Sequence, residues 1–544
     1  MKKIYYNGDF ITLENNNIEA IFIEDGIIKA TGKKEDILKN KDNMTEIIDL
    51  KGHTMMPSFI DAHSHFSGVA TNFLKVNLEN CSNFKQIQEE LKIYKEDNNI
   101  ADGKWILAHG YDHNNLDEKI HPKKEIIDEV LPNNPVILEH KSGHVGVFNS
   151  KALKELNISN NTIAKDGGFI EKINGDLTGY MEENSFLEYQ KQVPMPKIEE
   201  LLKAYEKAQY KYLSYGITTA QDGMTYSSLI PIYENLISND ILNIDLVSYI
   251  EVKNKEIFFN TFKNSIKQYY KHFKIGGYKI FLDGSPQGKT AWMRTPYTND
   301  KNYFGYGTMK DSDVKLSVKA AIDSNLQLLA HCNGDKAAEQ YINSIEEYKN
   351  DIKSLRPVMI HAQLLGLDQI KYLKKYNIIP SFFVSHVFYY GDIHIKNFGY
   401  ERASNISPTN STLKENVIFT LHQDSPVIEP NMFETIWIAA CRLTKSGKLL
   451  GKDERIPVIE AIKAVTINSA YQYFEEDKKG SIKEGKLADL IIIDKNPLKI
   501  NIDDIKNINI LETIKEGKTL YKKIVTIHSQ INKKRSCNIN VSKI

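Results

Sequence analysis

Short apolar segments alternate with helical patterns through the middle of the chain, and this alternation restricts the possible fold more than any other feature. The eight candidate strands are residues 58–63, 217–222, 244–251, 277–283, 326–331, 357–361, 378–384 and 417–421. Helical spacing of apolar residues separates most of them, as at residues 198–215, 255–272 and 311–324. Alternating strands and helices predict an α/β fold with a parallel sheet, and eight repeats predict a closed (β/α)8 TIM barrel over residues 57–474.

The chain has 544 residues, whereas one such barrel requires about 250. Residues 1–56 and 475–544 both contain short β-type segments separated by turn pairs such as Asp25-Gly26. Neither terminal region is long enough for a core of its own, so we expect both to build one small β-sandwich-like domain. Residues 67–200 separate the first two barrel strands and are far more than a crossover requires, which predicts a large insertion subdomain.

The charge balance and the cysteine distribution exclude several classes of protein. Lys plus Arg and Asp plus Glu each number 70, whereas nucleic-acid-binding proteins normally carry a basic excess. We therefore expect a small-molecule substrate and no nucleic-acid partner. No segment approaches the roughly 18 uncharged apolar residues of a membrane helix, so no membrane association is expected. A reducing compartment and a cytoplasmic location are expected from four separated cysteines without a CxxC pair: Cys81, Cys332, Cys441 and Cys537.

The strongest local signal is the His63-Ser64-His65 sequence at the end of the first candidate strand. Residues i and i+2 of a strand point to the same side, so two imidazoles there can bind one metal ion. The carboxyl ends of barrel strands are also where such folds carry their active sites. The alternative is two unrelated polar histidines at the start of a loop, because an HxH pair also occurs by chance.

Metal-ligand residue types recur at the ends of other candidate strands. Lys279 lies in the fourth strand, His331 ends the fifth, His361 ends the sixth, and Asp424 follows the eighth. A single histidine at the end of an apolar strand is usually incidental. Five of eight strand ends with such residues are hard to assign to chance, so the sequence predicts a metal site.

Lys279 requires a separate argument because it lies inside the apolar segment GGYKIFLDGS. Burial of its ammonium group is costly unless the charge is paired. One possibility is a partner carboxylate, such as Asp283 or one in the insertion. The other is that burial favours the neutral amine, which then reacts with CO₂ to form a carbamate that bridges two cations.

The order of the motifs resembles that of a known family. PSFIDAHSHF, KIFLDGSPQGKTA, AHCNGDKAAE, RPVMIHAQLL and LHQDSPV occur in this order, together with HKSGHVGVFNSKAL and GSIKEGKLADLIIID. This set resembles the amidohydrolase superfamily and, more narrowly, amidohydrolase family 3, its YtcJ-like branch. The resemblance covers most of the chain, including both terminal regions. It is specific for the family and says little about the substrate.

The resemblance implies a centre of one or two divalent ions with the ligands His63, His65, Lys279, His331, His361 and Asp424. The first two histidines and the aspartate would hold one ion, the other two histidines a second, and carbamylated Lys279 would bridge them. Zinc is favoured, although manganese, iron and cobalt also suit these ligands. Asp424 would be the catalytic residue, accepting a proton from the attacking water and passing it to the leaving nitrogen. With a single ion, His361 would contact the substrate and Lys279 would be structural.

Further candidates for substrate contact are His140, His144, Trp292, Arg294, His386 and Tyr389. The two in the insertion could instead be turn residues, and the others could serve surface packing. They follow predicted strand ends or lie in the inserted segment, which is where a barrel enzyme shapes its pocket.

Several other polar residues receive structural interpretations. Asp335 is typical of the first turn of a helix, where the helix dipole favours a carboxylate. His109 and His113 lie near Asp112 and suggest another metal site, but no second feature supports it, and we predict none. Cys332 follows a predicted ligand on the opposite side of its strand, so we expect a buried and unreactive thiol.

The resemblance and the metal site together predict a hydrolase of a carbon–nitrogen bond other than a peptide bond, in an amide or N-acyl compound. A deaminase, or an ester or lactone hydrolase, on the same metal site is the alternative, because the fold and the ligands do not separate these reactions. A non-catalytic binding or regulatory protein is a more remote alternative, since such a protein would have lost metal ligands. Oligomeric state is not encoded in these features, and a homodimer is expected only because that state is common.

Overall fold

The N-terminal segment supplies strands to two small sheets. The computed structural model describes residues 1–14, 16–194, 196–298 and 300–523. The first elements are β1 (Lys2–Tyr6), β2 (Asp9–Phe10), β3 (Ala20–Glu24), β4 (Ile27–Gly32), α1 (Lys34–Ile37), β5 (Thr45–Asp49) and β6 (Thr54–Pro57). Strands β1, β3, β4 and β5 form a four-stranded sheet, whereas β2 and β6 belong to a second sheet that the C-terminal segment completes.

The first barrel strand, β7 (Phe59–Ile60), is followed by the insertion. Its elements are α2 (Phe66–Asn72), β8 (Val76–Asn77), α3 (Phe84–Asp97), β9 (Ile106–Tyr111), α4 (Lys124–Asp128), β10 (Val136–His140), β11 (Val145–Phe148), α5 (Ser150–Glu155), β12 (Gly168–Ile173), β13 (Asp176–Glu182) and α6 (Glu183–Gln190). The strands form one six-stranded mixed sheet in the order β12-β13-β11-β10-β9-β8. Val136 and Leu138 pack on one side of this sheet and Ile137 on the other, as the two-residue period of a strand requires.

The chain then returns to the barrel and completes it. The elements are α7 (Ile198–Ser214), β14 (Ile217–Thr225), α8 (Ile230–Ser238), β15 (Asp245–Ile250), α9 (Lys255–Thr261), β16 (Phe273–Phe281), α10 (Asp311–Ser324), β17 (Gln327–Cys332), α11 (Asp335–Glu346), α12 (Lys349–Ile352), β18 (Val358–His361), α13 (Ile370–Tyr376), β19 (Ile379–Phe382), α14 (His386–Phe398), α15 (Tyr400–Ser404), α16 (Thr409–Lys414), β20 (Thr420–Leu421), α17 (Met432–Cys441), α18 (Val458–Ala464) and α19 (Ile467–Gln472). Strand β7 and strands β14 to β20 form one parallel eight-stranded sheet in chain order.

A side chain bridges the first and last barrel strands. Gln472, the last residue of α19, donates from Nε2 to the carbonyl of Ala62, 2.8 Å away, just beyond β7. Its Oε1 accepts a hydrogen bond of 2.9 Å from the hydroxyl of Thr420 in β20. The loops above these strands also meet, since the amide of His65 donates to the carbonyl of Ser425 at 2.7 Å. These contacts join the two ends of the curled sheet.

The C-terminal segment completes the second small sheet with β21 (Leu490–Ile493), β22 (Ile510–Lys515) and β23 (Lys518–Lys522). Strand β21 pairs antiparallel with β6, so that Ile491 lies opposite Met56. The resulting order β2-β6-β21-β22-β23 mixes strands from both termini. The predicted fold class is therefore confirmed: a (β/α)8 barrel, a β-domain built from both ends of the chain and a large insertion after the first barrel strand. Residues 524–544 of the predicted β-domain, with Cys537, lie outside the described residues.

Two expected elements differ from those observed, next to the fourth barrel strand. The strand expected at residues 277–283 begins at Phe273 and includes Gly276 and Gly277. A Cβ atom at Gly277 would collide with the carbonyl of Gln327 on β17, so glycine here permits close strand packing and does not end the strand. The helix expected at residues 255–272 ends at Thr261 as α9, and the segment that follows includes positive φ angles, such as 62° at Lys267, which an α-helix does not adopt.

Across the described ranges, no helix is both long and apolar enough to cross a membrane.

Candidate metal centre

The carboxyl ends of the barrel strands bring the predicted metal ligands to one side of the barrel. His63 and His65 follow β7, Lys279 lies in β16, His331 in β17, His361 ends β18, and Asp424 follows β20. The strands are parallel, so these ends lie at one rim of the barrel. All but His65 and His331 are buried, and those two are partly exposed.

The carboxylate of Asp424 lies at the middle of this group. Its Oδ1 is 3.4 Å from Nε2 of His63 and 3.1 Å from Nε2 of His65. Its Oδ2 is 4.0 Å from Nε2 of His361, and Nζ of Lys279 is 3.3 Å from Nε2 of His63. His63, His361 and Asp424 each offer one ligand atom within 4.8 Å of the others. Five of the six predicted ligands are thus linked by measured contacts.

The orientation of His63 is fixed by Gln221 of β14. Nδ1 of His63 lies 2.6 Å from Oε1 of Gln221. The amide group of Gln221 is itself oriented, because its Nε2 donates to the carbonyl of Ala62 at 2.7 Å and to the hydroxyl of Tyr473 at 2.8 Å. Oε1 is therefore the acceptor, so Nδ1 of His63 carries the proton and Nε2 presents its lone pair toward Asp424.

His361 has a comparable partner in His422. Nδ1 of His361 lies 3.1 Å from Nε2 of His422, and Nδ1 of His422 lies 2.8 Å from the hydroxyl of Ser381 in β19. This chain of contacts leaves Nε2 of His361 facing Asp424. Burial lowers the pKa values of His63 and His361 well below the ordinary value of histidine. It also lowers the pKa of His422, to about 3. The three imidazoles are therefore neutral near pH 7, which is the form that binds metals.

His331 lies beside this group with different contacts. Its ring centre is 4.6 Å from that of His361. Nδ1 of His331 lies 3.2 Å from Oδ1 of Asp283, an acceptor, and therefore carries the proton. Its Nε2 is 3.3 Å from the side-chain nitrogen of Asn333. His331 is thus adjacent to the centre, with its second nitrogen in contact with an amide.

Lys279 is buried with its amine against His63. Burial lowers the pKa of Lys279 to about 7, although the nearby charge of Asp424 acts to raise it. Asp283, the expected alternative partner, instead accepts hydrogen bonds from the backbone amides of Asn333 and Gly334. In the part of the chain that the structure describes, Lys279 forms no ion pair with a carboxylate.

The residues at this rim fit a divalent cation. Oδ1 of Asp424 is buried and has no hydrogen-bond partner among the described residues. A buried anionic oxygen without a donor is costly unless a cation neutralises it. Burial acts to raise the pKa of Asp424, but the neighbouring imidazole of His65 and other nearby positive charge outweigh this effect, so the pKa is below its ordinary value. The centre therefore combines an ionised carboxylate with inward-facing imidazole lone pairs.

The barrel residues that were candidates for substrate contact have different surroundings. His386 is buried at the start of α14, with its ring 4.6 Å from that of Phe383. The backbone amide of Trp292 donates to Asp283, which places this half-buried residue behind His331. Arg294 forms an ion pair of 3.0 Å with Asp368.

Three further barrel residues have local structural roles. The hydroxyl of Tyr389 donates to Glu434 at 3.0 Å. Asp335 is the first residue of α11 and accepts the backbone amide of Arg294 at 2.7 Å, in agreement with its expected structural role. Cys332 is buried, and burial raises the pKa of its thiol, which agrees with the expected unreactive side chain.

The two histidine candidates of the insertion lie in its own sheet. His140 ends β10 and contacts His113 rather than a barrel ligand. His144, in the turn before β11, is 61% exposed and lies 3.0 Å from Glu183. Burial lowers the pKa of His140. Burial also lowers the pKa of His121, to about 4.

Sequence reasoning missed Gln221 and His422, which orient imidazoles, and it considered Asp283 only as a partner of Lys279 and not of His331. A detectable signal exists, since each is a polar residue at the carboxyl end of a predicted barrel strand. Their partners come from other strands, which a sequence without tertiary contacts does not reveal.

Comparison with known proteins gives a family match. The model of the amidohydrolase family matches residues 46–521. YtcJ of Bacillus subtilis (strain 168), an amidohydrolase by name, is 26% identical over 540 residues, covering 96% of this chain and all of that protein. The N-substituted formamide deformylase of Arthrobacter pascens is 24% identical, covering 94% of this chain and 96% of that enzyme.

A solved structure shares the fold. An uncharacterized metal-dependent hydrolase from Pyrococcus horikoshii OT3 superposes with a TM-score of 0.77 at 23% identity, covering 92% of this chain and 99% of that chain. The family match, which covers the barrel, the insertion and the C-terminal strands up to residue 521, agrees with the resemblance of the ordered motifs. The chain belongs to the amidohydrolase family.

Proposed function

We propose that the protein hydrolyses a non-peptide carbon–nitrogen bond, in an amide or N-acyl small molecule, with the help of one or two divalent metal ions. The observation that carries the proposal is the buried Oδ1 of Asp424, which has no hydrogen-bond partner among the described residues and is faced by Nε2 atoms of His63 and His65. The name of the formamide deformylase, a relative along nearly the whole chain, supports the choice of a C–N bond.

The residues proposed to hold the ions are His63, His65, Lys279, His331, His361 and Asp424. Zinc is the favoured metal, since the donors are imidazole nitrogens and carboxylate oxygens. A bound divalent ion lowers the pKa of a coordinated water toward neutrality and polarises a carbonyl group.

Lys279 is proposed to carry a carbamate. The neutral amine attacks the carbon of CO₂, an N–C bond forms as one C–O π bond breaks to give the carboxylate, and one N–H proton of this adduct passes to solvent. A pKa near 7 supports this step, because a large fraction of the amine is then neutral at physiological pH. The Lys279 ammonium would be a buried cation without a carboxylate partner among the described residues. The carbamate is instead an anion placed among the proposed metal ligands.

Asp424 is proposed to move the protons of the reaction. Its ionised carboxylate accepts the proton of the attacking water and then delivers it to the nitrogen that leaves, so that the departing group is a neutral amine. The contact of 3.1 Å with His65 fixes the direction of Oδ1. Because the pKa of Asp424 is below its ordinary value, the carboxylate is ready to accept a proton at neutral pH.

The test is the Asp424→Asn variant, assayed with a panel of N-substituted formamides, N-acyl amines, esters, lactones and aminopurines. We expect turnover to fall by about 10²–10⁴-fold, the range that general acid–base catalysis supplies, with most of the metal retained. Metal content is measured by inductively coupled plasma mass spectrometry. Asp392→Asn, at a partly exposed carboxylate on α14, is the matched control and retains activity.

The products decide between the reaction classes. Release of an amine and a carboxylic acid supports the proposal, whereas release of ammonia from an aminopurine establishes the deaminase alternative. Hydrolysis of esters or lactones alone would overturn the C–N assignment. Wild-type turnover by Asp424→Asn would remove this residue from the mechanism.

A further inference from the structure

Three residues of metal-ligand type meet in the insertion, away from the barrel ligands. Asp112 and His113 follow β9, and His140 ends β10. The two strands are parallel neighbours, so their carboxyl ends lie at the same edge of the inserted sheet. We propose that Asp112, His113 and His140 form a second metal site, which binds a divalent transition-metal ion independently of the barrel centre.

The three ligand atoms form a nearly equilateral triangle. Nδ1 of His113 is 3.3 Å from Nε2 of His140, and Oδ1 of Asp112 is 3.7 Å from that Nε2 and 3.9 Å from that Nδ1. A tetrahedral ion with bonds of about 2.0–2.1 Å separates its ligand atoms by about 3.3 Å. Small side-chain rotations therefore bring all three atoms to bonding distance of one ion.

The chemistry and exposure of the cluster suit an exchangeable ion. Two imidazoles and one carboxylate are a donor set for zinc, cobalt, iron or manganese, with a position left for water. The side chains of Asp112, His113 and His140 are 23%, 29% and 12% exposed, so an ion can enter from solvent. The site would connect the loop after β9 to the loop after β10.

His121 supports the cluster without being a ligand. Its ring stacks on that of His113 with 4.0 Å between the ring centres. Its two nitrogens face the hydroxyls of Tyr111 at 3.1 Å and Tyr180 at 3.4 Å. His121 therefore limits the rotation of His113 while its own nitrogens remain engaged.

Metal binding requires a change of tautomer at His140. Nδ1 of His140 accepts the backbone amide of Ser142 at 3.0 Å and lies 2.9 Å from the Ser142 hydroxyl. In this arrangement Nε2 carries the proton and can donate it to Nδ1 of His113. When an ion takes the Nε2 lone pair, Nε2 loses its proton and Nδ1 gains one, so that Nδ1 gives up the hydrogen bond from the Ser142 amide and donates instead to the Ser142 hydroxyl oxygen. Zinc should therefore convert His140 from the Nε2–H form to the Nδ1–H form.

The experiment measures zinc per chain after equilibrium dialysis of the full-length holoenzyme. We expect Asp112→Asn and His113→Ala each to bind about one ion fewer than the wild type and to retain the barrel ions and turnover. His144→Ala, at the neighbouring exposed histidine, is the control and retains the wild-type zinc content. Equal zinc content in the wild type and both variants would overturn the second site. Unchanged stoichiometry overturns the second site whether or not turnover is lost.

A measurement on the wild-type chain covers the case in which the variants fold poorly. The protein is labelled with ¹⁵N-histidine, and the His140 signal is identified from its absence in His140→Gln. Zinc saturation should shift its nitrogens to the pattern of an Nδ1–H tautomer. An Nε2–H pattern that persists at saturation contradicts the proposal.

Discussion

The imidazoles of the candidate centre are oriented by their outer nitrogens, which face away from Asp424. Gln221 fixes Nδ1 of His63, and His422 contacts Nδ1 of His361. An oriented imidazole loses little rotational freedom when an ion binds, and such partners typically change metal affinity by about 10–100-fold. The affinity of the centre for a cation therefore depends on these neutral partners as well as on the ligands themselves.

At the residue scale, the pKa of Lys279 predicts how reconstitution depends on pH. Burial lowers that pKa to about 7, so the amine is mostly protonated below this value and mostly neutral above it. Only the neutral amine reacts with CO₂. We therefore expect the uptake of zinc by metal-depleted protein to increase as the pH rises from about 6 to about 8, at constant dissolved CO₂.

The measurement is zinc content together with the ¹³C carbamate signal after incubation with ¹³CO₂. Lys279→Ala serves as the comparison, because any pH dependence that arises from the other ligands persists in it. This variant should give no carbamate signal and lose one ion, and short-chain carboxylates should restore part of its activity. If the wild type takes up zinc equally at both ends of this range and shows no carbamate signal, the carbamate proposal is wrong.

At the element scale, Gln472 of α19 joins β20 to the segment after β7, where the barrel closes. Replacing it with leucine leaves the carbonyl of Ala62 with one donor fewer and the hydroxyl of Thr420 without this acceptor. We expect Gln472→Leu to destabilise the protein by about 1–3 kcal/mol, the cost of a buried polar group without its partner.

Urea unfolding followed by fluorescence measures this loss. Gln268→Leu, at an exposed glutamine, is the control and should change stability by no more than about 0.5 kcal/mol. Equal midpoints for the two variants would show that the Gln472 bridge contributes no stability.

The same scale shows what the sequence could and could not predict. Apolar periodicity found all eight barrel strands, and helix α10 agrees with its predicted range. The sequence predicts that the strand around Gly277 begins at residue 277, whereas it begins at Phe273, because a glycine pair is typical of a strand end unless the neighbouring carbonyl is known. The sequence offers no further feature to support His109 and His113 near Asp112 as a metal site, because His140, which contacts His113, is contributed by another strand. Periodicity therefore predicts elements, whereas contacts between elements decide which polar residues meet.

At the scale of the whole molecule, a buried cluster of charges connects the barrel to the domain built from both termini. Asp245 begins β15 and accepts contacts from Lys515 of β22 at 2.7 Å and from Lys479, which follows α19. Lys515 also contacts Asp489 at 2.8 Å, and Lys479 contacts Glu475 at 2.7 Å. The cluster thus joins the domain built from both termini to the amino end of the barrel, opposite the rim with the candidate centre.

This cluster predicts a large stability loss for Asp245→Asn. The substitution leaves Lys479 and Lys515 buried with one carboxylate fewer, and breaking a buried ion pair costs about 3–5 kcal/mol. Burial acts to raise the pKa of Asp245, but the two lysines and His272 lower it well below its ordinary value of 3.8. A carboxyl with a lowered pKa stabilises the fold above its unfolded-state pKa and loses that contribution as the pH falls through and below it. The difference in unfolding midpoint between wild type and Asp245→Asn should therefore have its full size at pH 7 and become smaller below about pH 4.

Asp240→Asn, at a 69% exposed carboxylate paired with Lys271, should stay within about 1 kcal/mol of the wild type. Matching thermal midpoints for Asp245→Asn and Asp240→Asn at pH 7 would show that the cluster does not stabilise the junction of the two domains.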